Sequence, residues 1–225
     1  MHKAPDSGSL FSKAMIDILY MDEKIIVCIK PAGVLSTDEP GGLPGLLREQ
    51  LGIETVRTVH RLDRVVSGVM VLARTARSAA TLSAQMGTER FQKRYLAVVR
   101  GAPREKAGSF RDLLGRDKAT RMTYVADAPG KDVREALLDY EVLGERDGFS
   151  LLGIRLHTGR THQIRVQCAS RGLPLYGDRR YGGAAEGEEI ALWSHELRFD
   201  HPASGEAMRF TALPPKTYPW TLFYE

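Results

Sequence analysis

The sequence predicts an α+β domain with a mixed, largely antiparallel sheet and flanking helices. Three observations lead there. Strand-like segments outnumber helical ones, and several follow each other across short turns. The strand–helix alternation of a doubly wound parallel sheet is absent. So are the glycine fingerprints G-x-G-x-x-G and G-x-x-x-x-G-K-[ST], which leaves a nucleotide cofactor no visible seat.

Taken in order, "DILYMDEKIIVCIKPAGV" reads as two short strands around a turn at Asp22-Glu23, stopped by "KPAG". "DEPGGLPG" is a loop by its Pro-Gly punctuation, and "LPGLLREQLG" a short helix. Strands are expected at Gly68–Arg74 and Phe91–Val99. Between them "TARSAATLSAQMGTER" places Ala76, Ala80, Leu82 and Met86 at helical spacing. A polar stretch follows, with short strands holding Met122–Val125 and Arg134–Leu143. "FSLLGIRLHTG" is another strand. "GRTHQIRVQCASRG" reads as an amphipathic helix stopped by Gly172, with Arg160 and His162 in its first turn, where backbone N–H groups attract phosphate. "YGDRRYGG" is a loop, and "IALWSHELRFDHP" and "EAMRFTALPP" close the chain as strands.

The 225 residues suffice for one sizeable core. Residues 1–16 read as a flexible tail and 17–225 as a single domain. No apolar run is long enough to cross a membrane, and the N-terminus lacks a signal-peptide core, so a cytoplasmic protein is expected. Cys28 and Cys168 sit among apolar or small neighbours without a CxxC partner, and read as buried free thiols. Net charge is +4, with 23 arginines to 9 lysines, which permits a nucleic-acid partner without demanding one. Arg160, Arg165, Arg171, Arg179 and Arg180 crowd one stretch, near His157 and His162.

Three constellations could carry chemistry. In "VRTVHRLDRVVSGVMVLART", Asp63 stands between Arg61 and Arg64, just before an apolar strand. Neighbouring positive charge favours its ionised form, which suits a nucleophile or electrostatic stabiliser rather than a proton donor. A surface Asp capping a turn is the plainer alternative. In "FQKRYLAVVRG", period-2 counting puts Tyr95 on the face of Lys93. In the third, Arg165 lies between Ile164 and Val166, and a buried guanidinium needs a buried acid. A two-carboxylate glycosidase would need a second poised acid, but Glu135 and Glu141 have no distinctive setting. His157 and His162 do not have the spacing of H-E-x-x-H, so no metal is expected.

Together these blocks resemble the RluA-type pseudouridine synthases. "HRLDRVVSG" is similar to the family's block carrying its catalytic aspartate, "KRYLAVVRG" to the block with its active-site tyrosine, and "GRTHQIRVQ" to its G-R-x-H-Q-I-R block. "KPAGV", "YGDRRYGG" and "LWSHELRFDHPASGE" fall in the expected order, so the likeness spans about Ile18 to Pro214. Val66 stands where the family usually has threonine, and Trp193-Ser194 where it usually has His-Ala. The stretch before the first strand is too short for the S4-like RNA-binding domain of many relatives, so the catalytic domain is expected to grip RNA alone.

The resemblance implies isomerisation of specific uridines in structured RNA (rRNA or tRNA) to pseudouridine, without cofactor or metal. Asp63 would be the catalytic aspartate and Arg165 its buried partner. Tyr95 would pack on the target base and could deprotonate C5. Arg61 would fill the space left by a flipped base. His60, Arg160, His162 and Arg180 would contact RNA. A non-catalytic RNA-binding module of the same fold and a nucleosidase acting on small substrates are the competing readings. A monomer is the default.

Overall fold

The computed structural model describes residues 15–182, 184 and 187–224, so all but the last two residues of the expected tail lie outside the described residues. β1 (Ile18–Met21) and β2 (Ile25–Lys30) form a hairpin. Its turn is fixed by Asp22, whose carboxylate accepts the backbone N–H groups of Lys24 (2.7 Å) and Ile25 (2.8 Å). α1 (Leu43–Leu51) has Pro44 in its first turn and stops at Gly52, which adopts φ 64°. β3 (Arg57–Thr58) and β4 (Ser67–Ala73) follow. α2 (Ala76–Gln85) is capped by Thr75, whose hydroxyl accepts the Ser78 N–H (3.0 Å). The long strands are β5 (Gln92–Arg100), β6 (Ala107–Arg116), β8 (Arg134–Arg146), β9 (Phe149–Leu156) and β10 (Leu192–Asp200), with shorter β7 (Thr123–Ala126) and β11 (Ala207–Thr211). α3 spans only Gln163–Ala169.

All the strands join one sheet in the order β1-β2-β4-β10-β5-β9-β8-β6-β7, with β3 paired to β4 and β11 to β10. Every join is antiparallel except β4–β10, where Trp193 and Ser194 align with Ser67 and Gly68. That one parallel seam makes the sheet mixed, as predicted. α1 and α3 cover one face, over a core that includes Met70, Leu72, Ala97, Leu152 and Ile154. On the other face, α2 packs Leu82 with Phe91 and Phe199, and Trp220 joins Leu96, Val98 and Trp193. No helix among the described residues is long and apolar enough to cross a membrane. Cys28 and Cys168 are free and buried, and burial pushes both thiols up to about 12.

Two expectations need correction. β6 was not foreseen, because half of it faces solvent and its inward anchors are few, Phe110 and Leu114 among them. α3 is not amphipathic: six of its seven residues are buried, polar ones included. Arg160 and His162 precede it rather than occupying its first turn.

The two departures from the family pattern settle into the core. Val66 packs inside it, where a hydroxyl would need a partner. Trp193 donates its indole N–H to Ala212 O (2.8 Å), and Ser194 Oγ donates to Val69 O (2.9 Å). Gly68 allows the seam. Its φ is +121°, and a Cβ there would lie 2.4 Å from Ser194 O. Gly68→Ala is therefore expected to destabilise the domain by about 3 kcal/mol or more, read by urea unfolding. A midpoint equal to wild type would contradict this packing.

Candidate active site

The Asp63 loop is held by backbone carbonyls pulled onto buried donors. Lys30, fully buried at the end of β2, donates Nζ–H bonds to Pro31 O (2.8 Å), Val34 O (2.8 Å) and Arg64 O (3.2 Å). Ser36 Oγ donates to Leu62 O (2.8 Å) and accepts the Leu62 N–H (3.0 Å). Gly33 N–H donates to Arg64 O and Arg64 Nε to Gly33 O, both at 2.8 Å. The Val66 N–H closes a turn on Asp63 O (3.0 Å). "KPAG" and "HRLDR" are thus two halves of one clamp, which leaves the Asp63 carboxylate about 25% exposed to the groove beside it.

Arg165 reaches that carboxylate from α3. Its Nη1 donates to Asp63 Oδ2 at 3.0 Å. Its other edge is the stronger grip: Nε and Nη2 donate to Asp178 Oδ2 and Oδ1, both at 2.8 Å. The Asp178 side chain is wholly buried, and its Oδ1 also accepts the N–H groups of Arg180 (3.0 Å) and Tyr181 (3.2 Å). Burial opposes the charge on Arg165, but Asp178 and then Asp63 raise its pKa above the ordinary guanidinium value. The expected Arg165–Asp63 pair is present, but the buried acid that the guanidinium required is Asp178.

Tyr95 lies buried on β5, on the groove face. Burial first, then the Asp63 charge, push its phenol pKa up, against a smaller opposite effect of a hydrogen bond with Ser194. The ring is therefore a neutral surface next to the carboxylate. Taking a proton from C5 would require a phenolate that this environment disfavours. Lys93 lies two residues before it in the same groove, where desolvation lowers its pKa.

The remaining expected residues divide. Arg61, Arg160 and His162 line the groove, and Arg180 sits beside it, its guanidinium donating to Arg121 O (3.3 Å). His60 is corrected. It is buried, packs edge-on against Phe91, and its Nε2 accepts the Val71 N–H (3.1 Å). Burial, reinforced by Lys93, pushes its pKa down to about 3, so it supports the floor as a neutral ring. Glu135 is spent on Arg111 (2.7 Å).

The cavity between these elements measures about 950 Å³, far larger than one nucleoside needs. Among the described residues no carboxylate pairs with Arg61, Arg116 or Arg160, which open onto it. Elsewhere on the sheet the buried carboxylate of Glu196 pairs with Arg94, Arg198 and Arg209.

Residues 24–170 match the family model described as RNA pseudouridylate synthase. The chain belongs to the RNA pseudouridylate synthase family. An RNA pseudouridine synthase of Aquifex aeolicus is 35% identical, over 90% of this chain and 71% of that one. The ribosomal large subunit pseudouridine synthase D of Xanthomonas campestris is 33% identical, over 89% of this chain and 66% of that one. Among solved structures, human RNA pseudouridylate synthase domain containing 1 superposes with a TM-score of 0.78 at 25% identity, covering 94% of this chain and 87% of that one. As a family member the chain is an RNA uridine isomerase with the α+β fold of these synthases.

Asp178, Lys30 and Tyr181 were not singled out beforehand. Asp178 lay in a block read as loop. Lys30 ended an apolar strand, where a lysine sealed by three carbonyls leaves no spacing pattern.

Arg165→Ala should destabilise the domain by about 3–5 kcal/mol by stranding buried Asp178, while Asp63→Asn should stay within about 1 kcal/mol of wild type, both by denaturant titration. Equal losses would contradict the unequal grip. Lys30→Met should cost about 3 kcal/mol by orphaning three carbonyls. Burial lowers the Lys30 pKa to about 8, so the unfolded chain holds this proton more tightly. Raising pH from about 8 through the ordinary lysine range therefore favours the folded state through this group. The stability gap between wild type and Lys30→Met should widen over that range; a flat gap would argue against the buried ammonium.

Proposed function

We propose that this synthase isomerises specific uridines in structured RNA, rRNA or tRNA, with Asp63 as the catalytic carboxylate and the target base flipped into the groove. The observation that carries the reading is Asp63 itself: an acid hydrogen-bonded to a buried, fork-held Arg165, open to a basic groove, with the Tyr95 ring beside it. In the isomerisation the N1–C1′ bond breaks, the uracil turns, C5 bonds to C1′, the proton on C5 leaves and N1 gains one. Arg165 keeps Asp63 oriented for attack or proton removal at the ribose. Tyr95 offers a flat apolar surface on which the detached ring can turn without escaping.

A uridine stacked in a helix or loop cannot reach Asp63 without leaving its stack, at a cost of a few kcal/mol. Arg61 is exposed at the groove and unpaired among the described residues, and its planar guanidinium can fill the vacated space. Arg116, Arg160 and Arg180 supply phosphate contacts around it. The similarity to a ribosomal large subunit pseudouridine synthase supports rRNA as the first substrate to test.

Mapping pseudouridines in RNA from cells with and without the gene should reveal sites that vanish with it. Stem-loops carrying those uridines, labelled with tritium at C5, should release tritium with wild type. Asp63→Asn should lose at least about 10³-fold in rate yet bind the same RNA within a few-fold, since its phosphate contacts lie elsewhere. Surviving release from Asp63→Asn would refute Asp63, and turnover of free uridine would indicate a nucleosidase instead.

A further inference from the structure

His162 combines three features that the fold does not need. It is a non-glycine residue in the left-handed region (φ 54°, ψ 21°), immediately before α3. Its Nδ1 lies 2.9 Å from the Tyr181 hydroxyl, and its Nε2 lies 4.0 Å from Asp63 Oδ2. That strained conformation therefore sets the imidazole between a tyrosine and the proposed catalytic acid.

The hydrogen-bond network favours one tautomer. Tyr181 Oη accepts the Thr123 N–H at 2.9 Å, and its own proton is then best placed on His162 Nδ1, 2.9 Å away. A neutral imidazole that accepts at Nδ1 carries its proton on Nε2, directed toward Asp63. The opposite tautomer would face a lone pair toward the carboxylate. Burial keeps the ring neutral; Asp63 opposes this, while Arg165 and Arg180 assist.

A separation of 4.0 Å is too long for a hydrogen bond. A donor, Nε2–H, therefore faces an acceptor, Oδ2, across a gap that one oxygen can bridge. That oxygen must accept from the histidine and donate to the carboxylate; water does this in the free protein, and among the groups of a bound nucleotide only a hydroxyl can replace it. Within an RNA chain the 3′ and 5′ oxygens are esterified, and O4′ and the uracil O2 only accept. The 2′-hydroxyl is the one hydroxyl of a nucleotide, and it sits next to the C1′ on which Asp63 acts.

We propose that His162, positioned by Tyr181, binds the 2′-hydroxyl of the target uridine and makes the site selective for ribose over deoxyribose. The inference rests on the pseudouridine synthase reading with Asp63 at the ribose. It names the atom recognised, where RNA contact in general leaves the choice open.

The test uses fluorescent stem-loops carrying a mapped uridine, made with uridine or 2′-deoxyuridine at that single position. Binding constants come from anisotropy. Turnover does not interfere, because pseudouridine keeps the 2′-hydroxyl. Wild type should favour the ribose form by about tenfold, the size of a good hydrogen bond in a closed site. His162→Asn tolerates the left-handed backbone but is too short to reach, and should bring that ratio within about twofold. Tyr181→Phe, which leaves the imidazole but frees its orientation, should give an intermediate ratio. A uniform loss of affinity cancels in the ratio, and a urea-unfolding midpoint close to wild type in His162→Asn separates lost discrimination from lost folding. An unchanged ratio in His162→Asn, or no preference in wild type, overturns the proposal. Absence of tritium release by wild type from the ribose stem-loop overturns the parent reading instead.

Discussion

Arg165 has three hydrogen-bonding nitrogens and divides them unequally. Two are committed to Asp178 in a flat, fully buried fork, and one is left for Asp63 at the groove. A guanidinium in that position without Asp178 would be a desolvated charge facing a single, partly solvated acid. With Asp178 in place its plane is fixed before substrate arrives, and the remaining N–H points where the carboxylate must be. The loop after α3 is drawn inward for the same reason, since Asp178 also takes the backbone N–H groups of Arg180 and Tyr181. One buried carboxylate thus orients the Arg165 contact, the basic loop and, through Tyr181, the His162 ring.

The other half of the site is braced from below. Lys30 and Ser36 make bonds to the loop's backbone, so Asp63 stays open to substrate while the chain beneath it stays rigid. Arg61, Arg116 and Arg160 line the groove with no carboxylate partner among the described residues, so unpaired positive charge faces it although the net charge of +4 is modest.

Much of this was legible in the chain. The strand-rich order, the short turns and the absence of nucleotide fingerprints led to the right fold class. Asp63, Tyr95 and Arg165, the outermost pair 102 residues apart, were expected together and line one groove. What escaped follows a common physical pattern. α3 looked amphipathic because Arg165 and Gln163 are polar and set apart from Ile164 and Cys168. In the fold both are buried against specific partners, Gln163 on Leu137 O (3.1 Å) and Arg165 on Asp178 (2.8 Å). His60 looked like an RNA contact beside Arg61, but its ring is buried against Phe91 and held by the Val71 N–H, which leaves Arg61 the exposed neighbour. Asp178 and Lys30 were hidden because a buried charge is recognised by its partners, and the decisive ones, Arg165 for Asp178 and the Arg64 carbonyl for Lys30, lie 13 and 34 residues away. Periodicity reports burial of apolar groups and is silent on polar groups buried in pairs.

The claim on which the account turns is that the Arg165 fork belongs to Asp178, with Asp63 the weaker, functional contact. Double-mutant cycles on unfolding free energy test it most directly, comparing Arg165→Met with Asp178→Asn and, separately, Arg165→Met with Asp63→Asn. The account predicts a coupling of about 2–3 kcal/mol for the first pair and below about 1 kcal/mol for the second. A larger coupling to Asp63 than to Asp178 would contradict it.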